Sequence, residues 1–126
     1  MATTHSATAR NDMADAIAAL CNAGSQCTLV IGDSSLNGET GVLVKISLDD
    51  FTVSGPVATS PSNGNSGTAT GSGTAAIAEV RDDPTGNVIF TGSVGVGSGE
   101  VQISSTTIAE DDEIELTADV TWTAPS

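Results

Sequence analysis

From Glu113 to Trp122 the chain alternates without interruption. Ile114, Leu116, Ala118, Val120 and Trp122 are apolar, and Glu113, Glu115, Thr117, Asp119 and Thr121 between them are polar. A period of two is the signature of a strand with one buried face, because successive side chains point to opposite sides of a sheet. The polar face here is acidic, so it meets water or a basic partner. Pro125 ends the pattern. A chain closing on such a strand needs other strands to pair with it and an apolar layer to cover its inner face.

The same period recurs upstream. Val42, Val44, Ile46 and Leu48 alternate with Leu43, Lys45 and Ser47, a half-buried strand. Thr28-Leu29-Val30-Ile31 is a short buried strand ending at Gly32-Asp33, and Ser34 to Gly41 is a polar loop. Asp49-Asp50 starts a turn before the extended piece Phe51-Thr52-Val53, which Pro56 confines to an edge or a loop. Thr74 to Arg81 and Val88 to Val94 read as strands joined by the turn Asp82 to Asn87. Gly95 to Gly99 is flexible, Val101 and Ile103 mark a further strand, and Ile108 leads into the acidic corner Glu110-Asp111-Asp112.

Ahead of the strands the period is helical. Residues 6–23 form a helix in which Met13, Ile17, Leu20 and Cys21, with Arg10 and Ala14, share one face. Ala supplies propensity, and Asn22-Ala23-Gly24 is a C-terminal stop. The stripe is narrow; it packs on its own domain by default, and docking on a neighbouring subunit is the alternative. Residues 60–73 (SPSNGNSGTATGSG) have almost nothing to bury and read as a long mobile loop, either an arm that orders on assembly or a spacer. The expected fold is mainly β: a β-sandwich or jelly-roll-like domain, with strands in 28–59 and 74–124, preceded by one amino-terminal α-helix. No internal repeat is present, and residues 1–126 make one domain.

Aromatic residues are 2% of the chain (Phe51, Phe90 and Trp122), so the core is built from Val, Ile, Leu and Ala, which bury less area each. A modestly stable monomer with apolar surface covered by a partner is expected. Sixteen acidic residues against Arg10, Lys45 and Arg81 give a net charge of −13. That surface repels nucleic acid and anionic membranes and attracts cations or a basic protein. No stretch approaches a membrane span, and Asp12 and Asp15 interrupt the apolar part of the first segment, which argues against a secretory signal. Synthesis and use in a cytosol follow, or release from one by lysis. Cys21 and Cys27 suit two reduced, part-buried thiols there, and a disulfide tying helix to strand under oxidising conditions is the alternative.

Nothing in the sequence points to an enzyme. His5 is the one histidine, and without it Cys21 and the serines have no evident general base. The carboxylate pairs Asp49-Asp50, Asp82-Asp83 and Glu110 to Glu113 read as turn acids, since a sugar cleft between them would want aromatics. Arg81 to Asn87 and the Glu110 corner offer oxygen ligands without EF-hand spacing, so no metal and no cofactor is assigned. Gly95, Gly97 and Gly99 lack the spacing and following helix of a phosphate cradle.

The order of segments resembles small virion proteins of tailed bacteriophages and prophages. Ala7 to Gly24 (ATARNDMADAIAALCNAG) carries the amino-terminal pattern, followed by the short strand and loop Leu29 to Ser34 and a strand ending at Leu48 to Phe51. Gly73-Thr74-Ala75, Asp83 to Val88, Gly92-Ser93-Val94-Gly95, Ser105 to Thr117 and Thr123 to Pro125 continue the resemblance along nearly the whole chain. It implies a structural protein of the phage particle, a head decoration or cement protein. Such proteins bind as homo-oligomers, often trimers, over junctions between major capsid protein subunits on the virion surface, after assembly in the host cytoplasm. On that reading the grips are Arg10, Met13, Ile17 and Leu20 on the helix, with Ser62, Asn63 and Asn65 in the Gly/Ser loop. A tail- or fibre-associated module binding a host glycan is the alternative, and Trp122 is the residue that offers itself for it.

Overall fold

The computed structural model describes residues 6–22, 27–82 and 87–124. His5, the helix stop at Ala23-Gly24, most of the turn after Asp82, and Pro125 lie outside these residues. The protein is mainly β with a single amino-terminal helix and a curled multi-stranded sheet, a β-sandwich-like arrangement.

Helix α1 (Ala7–Asn22) starts where the Ser6 hydroxyl accepts a hydrogen bond from the Ala9 amide at 3.1 Å, a side-chain cap for an otherwise unpaired donor. Its inner face is Ala14, Ala18 and Cys21, small enough to bring the helix close to the strands beneath. Its far end is clasped in both directions: the Asn22 side chain donates to the Phe51 carbonyl at 2.9 Å and accepts from the Phe51 amide at 2.8 Å.

The main sheet contains β1 (Thr28–Asn37), β2 (Thr40–Ser47), β7 (Ile77–Arg81), β8 (Val88–Gly95) and β9 (Val101–Gln102), in the order β2-β1-β7-β8-β9. Pairing is antiparallel except between β8 and β9. Leu29, Ile31, Val44, Ile46, Ala78 and Val80 point from this sheet into the core. The polar segment after Gly32 continues β1 to Asn37, where a turn at Gly38 (φ 60°) leads into β2. The pairing register slips at Gly32, where a β-carbon would stand 2.7 Å from the Gly41 carbonyl oxygen. Such an irregularity sharpens twist and bends the hairpin. Its tip returns over the outer face of the same sheet, where the Arg81 guanidinium donates to the Gly38 carbonyl at 2.7 Å and to Glu79 at 2.7 Å.

The rest of the chain forms a second body. Strands β3 (Thr52–Ser54) and β4 (Val57–Ser60) make a hairpin around Gly55-Pro56, so Pro56 sits in a turn with β3 at the edge. Strand β4 pairs with β12 (Val120–Thr123), β5 (Ser66–Thr68) with β11 (Glu113–Glu115), and β6 (Gly73–Thr74) with β10 (Thr107–Ile108). From Val57 opposite Thr123 to Thr74 opposite Thr107, these pairs are one antiparallel ribbon with a one-residue slip between Ser60 and Ser66.

The stretch expected as a polar loop, Ser34 to Gly41, is instead the tip of the β1–β2 hairpin, and two further expectations change. Residues 60–73 are not an open loop. The segment is paired along the ribbon, buries Ala69, and lies so close to β2 that a β-carbon on Gly67 would stand 2.1 Å from the Lys45 carbonyl oxygen. Thr70 and Gly71 also donate backbone hydrogen bonds to the Leu43 carbonyl. Its small residues therefore permit close backbone approach, and its amides find partners on remote segments. The alternating run at the carboxyl end is also not one strand. Leu116 keeps its amide on the Asn65 carbonyl while also bridging Ile103, Thr117 turns its amide to the Gln102 carbonyl, and the ribbon pairing resumes at Val120. Alternation survives the break: Ile114, Leu116 and Val120 are buried, while Glu113, Glu115 and Asp119 are exposed.

Candidate interaction surface

The helix residues expected to grip a partner are largely engaged with their own domain. Met13 and Ile17 are half-buried, and α1 lies against β3, β4, β8 and β12. Arg10 donates to the Ala124 carbonyl from Nη2 at 3.1 Å and from Nε at 3.4 Å, so its charge ties the helix to the end of the chain. Leu20, at 53% exposure, is the member of the stripe left open.

The loop residues form a separate cluster. The side chains of Asn63 and Asn65 both donate to the Asp49 carboxylate, and the Ser62 amide donates to Asp119 Oδ1 at 2.9 Å. The buried Ser60 hydroxyl donates to the Asp49 backbone carbonyl at 2.8 Å. Asn63 takes a positive φ of 44° and Gly64 one of 70°, an arrangement that Asn and Gly tolerate best. Helix stripe and loop thus have different partners, and these contacts hold the domain together. The acids behave similarly at the other corner, where Asp112 Oδ2 accepts from the Ala109 amide at 3.0 Å. Among the described residues, no three His, Cys, Asp or Glu side chains converge on one point.

The thiols of Cys21 and Cys27 are buried and unbridged, and their side chains hydrogen-bond to each other. Burial pushes the Cys21 thiol far above its ordinary value, with the Cys27 hydrogen bond, the Cys27 charge and Asp82 adding to the effect. A thiol held protonated and away from solvent is a poor nucleophile.

Electrostatics is the distinguishing property of the outer surface. All three cations are engaged internally: Arg10 as above, Arg81 with Glu79 at 2.7 Å, and Lys45 with Glu39 at 3.0 Å. Among the described residues Glu39 and Glu79 are the acids so paired, and with sixteen acidic residues against three basic ones, negative charge dominates the surface.

A recess with aromatic lining interrupts this surface. A groove of about 330 Å³ lies between β8–β9 and β12, lined by Phe90, Thr91, Glu100, Val101, Trp122 and neighbouring backbone. Phe90 rests edge-on against the buried Phe51, ring centroids 6.2 Å apart and planes at 83°, so all three aromatic residues gather at this end. Glu100 lies across Gly92, where a β-carbon would come within 3.2 Å of Glu100 Cβ. Its backbone amide donates to Ser93 Oγ at 3.2 Å, and the Ser93 amide donates to its carboxylate at 3.3 Å. Trp122 stands out in the sequence as a candidate contact, whereas Phe90 and Glu100 do not. Their aromatic and acidic character was visible, but only the pairing of β7 with β8 and of β4 with β12 brings them to the same place.

Against this fold and surface, a scan of protein-family models finds no match, and searches of curated proteins and of solved structures find none.

Proposed function

We propose that the protein is a non-enzymatic structural component of a phage particle, a decoration or cement protein that binds the assembled capsid lattice as a homo-oligomer. The observation that carries this reading is the charge arrangement. Arg10, Lys45 and Arg81 are each engaged within the chain, and with a net charge of −13 the surface is dominated by carboxylates. Such a surface stays soluble and self-repelling when free, and it selects a basic protein surface when it binds. The resemblance to phage virion proteins along the chain supplies the kind of partner, the major capsid protein, and the site of assembly, the host cytoplasm. Individual contacts need not be strong, because repetition over a lattice raises the effective concentration of each.

The second reading, a tail- or fibre-associated module that binds a host glycan, is favoured by one observation: Trp122 lines a groove that also offers threonine hydroxyls. Adding purified protein to phage heads that lack it separates the two. A cement protein binds those heads and restores their resistance to heat or chelator. Failure to bind heads, combined with binding to host cells, overturns the reading in favour of the glycan module.

A further inference from the structure

We propose that the groove between β8–β9 and β12 is a receptor for an arginine side chain presented by a basic segment of a protein partner, the indole of Trp122 and the carboxylate of Glu100 holding its guanidinium. The inference rests on the reading of the chain as a protein-binding, assembling domain and names one of its contact points.

The groove joins two kinds of group that favour a guanidinium together. An aromatic face attracts a cation through its quadrupole, most strongly for tryptophan, and arginine adds flat stacking that lysine lacks. A carboxylate beside the ring supplies charge-assisted hydrogen bonds to the same planar fork. Both are present in a recess of about 330 Å³, which accommodates one side chain and is too small for a folded element. Neither group is loosely placed. Phe90 is braced by Phe51, Trp122 packs against the core, and Glu100 is held by Ser93 over Gly92. Among the described residues no cation pairs with Glu100, because Arg10, Lys45 and Arg81 are engaged with Ala124, Glu39 and Glu79. Charge complementarity therefore selects the occupant: a neutral sugar leaves Glu100 uncompensated, and an acidic segment is repelled by it and by the net charge of −13.

Trp122 is the one tryptophan in the chain, so its fluorescence reports on the groove directly. The full-length protein is titrated with a short capped peptide containing two arginines, and with the same peptide carrying citrulline, which keeps the shape and removes the charge. The arginine peptide should give a saturable change in Trp122 emission that weakens as salt is raised, and the citrulline peptide should give none. Glu100→Gln should weaken the arginine peptide about three- to fivefold. Glu110→Gln, the same loss of charge at the distant β10–β11 corner, should leave the affinity unchanged. Thermal melting of both variants checks that these exposed substitutions leave the fold intact.

Absence of a response to the arginine peptide overturns the proposal, as does an equal response to citrulline. Equal weakening by Glu100→Gln and Glu110→Gln overturns it in favour of diffuse charge attraction. Saturation by a neutral trisaccharide at lower concentration than the peptide overturns it in favour of a glycan site. Head binding separates this proposal from the function beneath it. If wild-type protein and Glu100→Gln bind deficient heads alike, the groove assignment fails and the cement reading stands. If wild-type protein does not bind heads yet answers the arginine peptide, the cement reading fails and the groove stands.

Discussion

The curled sheet and the long ribbon share one core but are held by different forces. In the sheet, large side chains do most of the holding: Leu29, Ile31, Val44 and Ile46 are fully buried, and strand pairing follows from which face must be covered. In the ribbon, the half between Ser60 and Thr74 contributes Ala69 and otherwise small or polar residues, and it is held by backbone hydrogen bonds to remote strands. A buried face selects its register through hydrophobic area. A strand of Gly, Ser and Thr has to be specified by close approach and by the donors and acceptors it satisfies. The difference predicts which substitutions each region withstands.

The largest effect is expected in the sheet. Leu29 is fully buried among core residues, and Leu29→Ala removes three methyl-sized groups from a close-packed site. A loss of about 3 kcal/mol in unfolding free energy is expected in urea denaturation, where the midpoint should fall with the slope unchanged. A loss below about 1 kcal/mol would show that the sheet is less dependent on side-chain packing than its burial indicates.

The ribbon is tested by adding an atom instead of removing some. At Gly67 a β-carbon would stand 2.1 Å from the Lys45 carbonyl oxygen, a backbone atom that cannot turn aside. Gly67→Ala therefore has to push β5 away from β2, at about 2 kcal/mol. Gly64→Ala is the contrast: it meets no atom within 4 Å, but it takes φ 70°, so strain alone costs about 1 kcal/mol. Equal melting temperatures for the two variants would mean that close approach to β2 does not hold the ribbon.

That contrast also explains how far the sequence could be read. The faces of Val42 to Leu48 and of Glu113 to Trp122 follow from alternation alone, because each strand's own residues report which side is buried. The order of residues 60–73 could not be recovered this way. Its partners run from Val120, opposite Ser60, to Ile108, opposite Gly73, far along the chain, and glycines at 67 and 71 look alike whether they give freedom or permit contact. Arg10 illustrates the same limit. Its place on the helix stripe is legible, yet its hydrogen bonds to Ala124 depend on where the far end of the chain returns. The groove is legible only as three scarce aromatics, since neither Glu100 nor Phe90 shares a local pattern with Trp122.

The smallest effect belongs to the polar edge of the curled sheet, where neither packing nor close approach is at stake. Asp33 is half-buried with its carboxylate at the surface, where it accepts hydrogen bonds from the hydroxyl and the backbone amide of Ser35. These favour the charged form and hold the Asp33 carboxyl below its ordinary value, the hydroxyl having the larger effect. A carboxyl whose folded value is depressed adds stability above its unfolded value, and that stability is lost as pH falls through the folded one. Ser35→Ala removes the hydroxyl and leaves the amide, so the Asp33 titration followed by NMR should move upward toward the ordinary carboxylate range. Stability near neutral pH should barely change, because the site is in water and the bond competes with solvent. An unmoved Asp33 titration would show that the amide alone sets it. A substantial loss of stability at neutral pH would instead make this polar edge part of what keeps the hairpin curled, bringing the sheet closer in character to the ribbon.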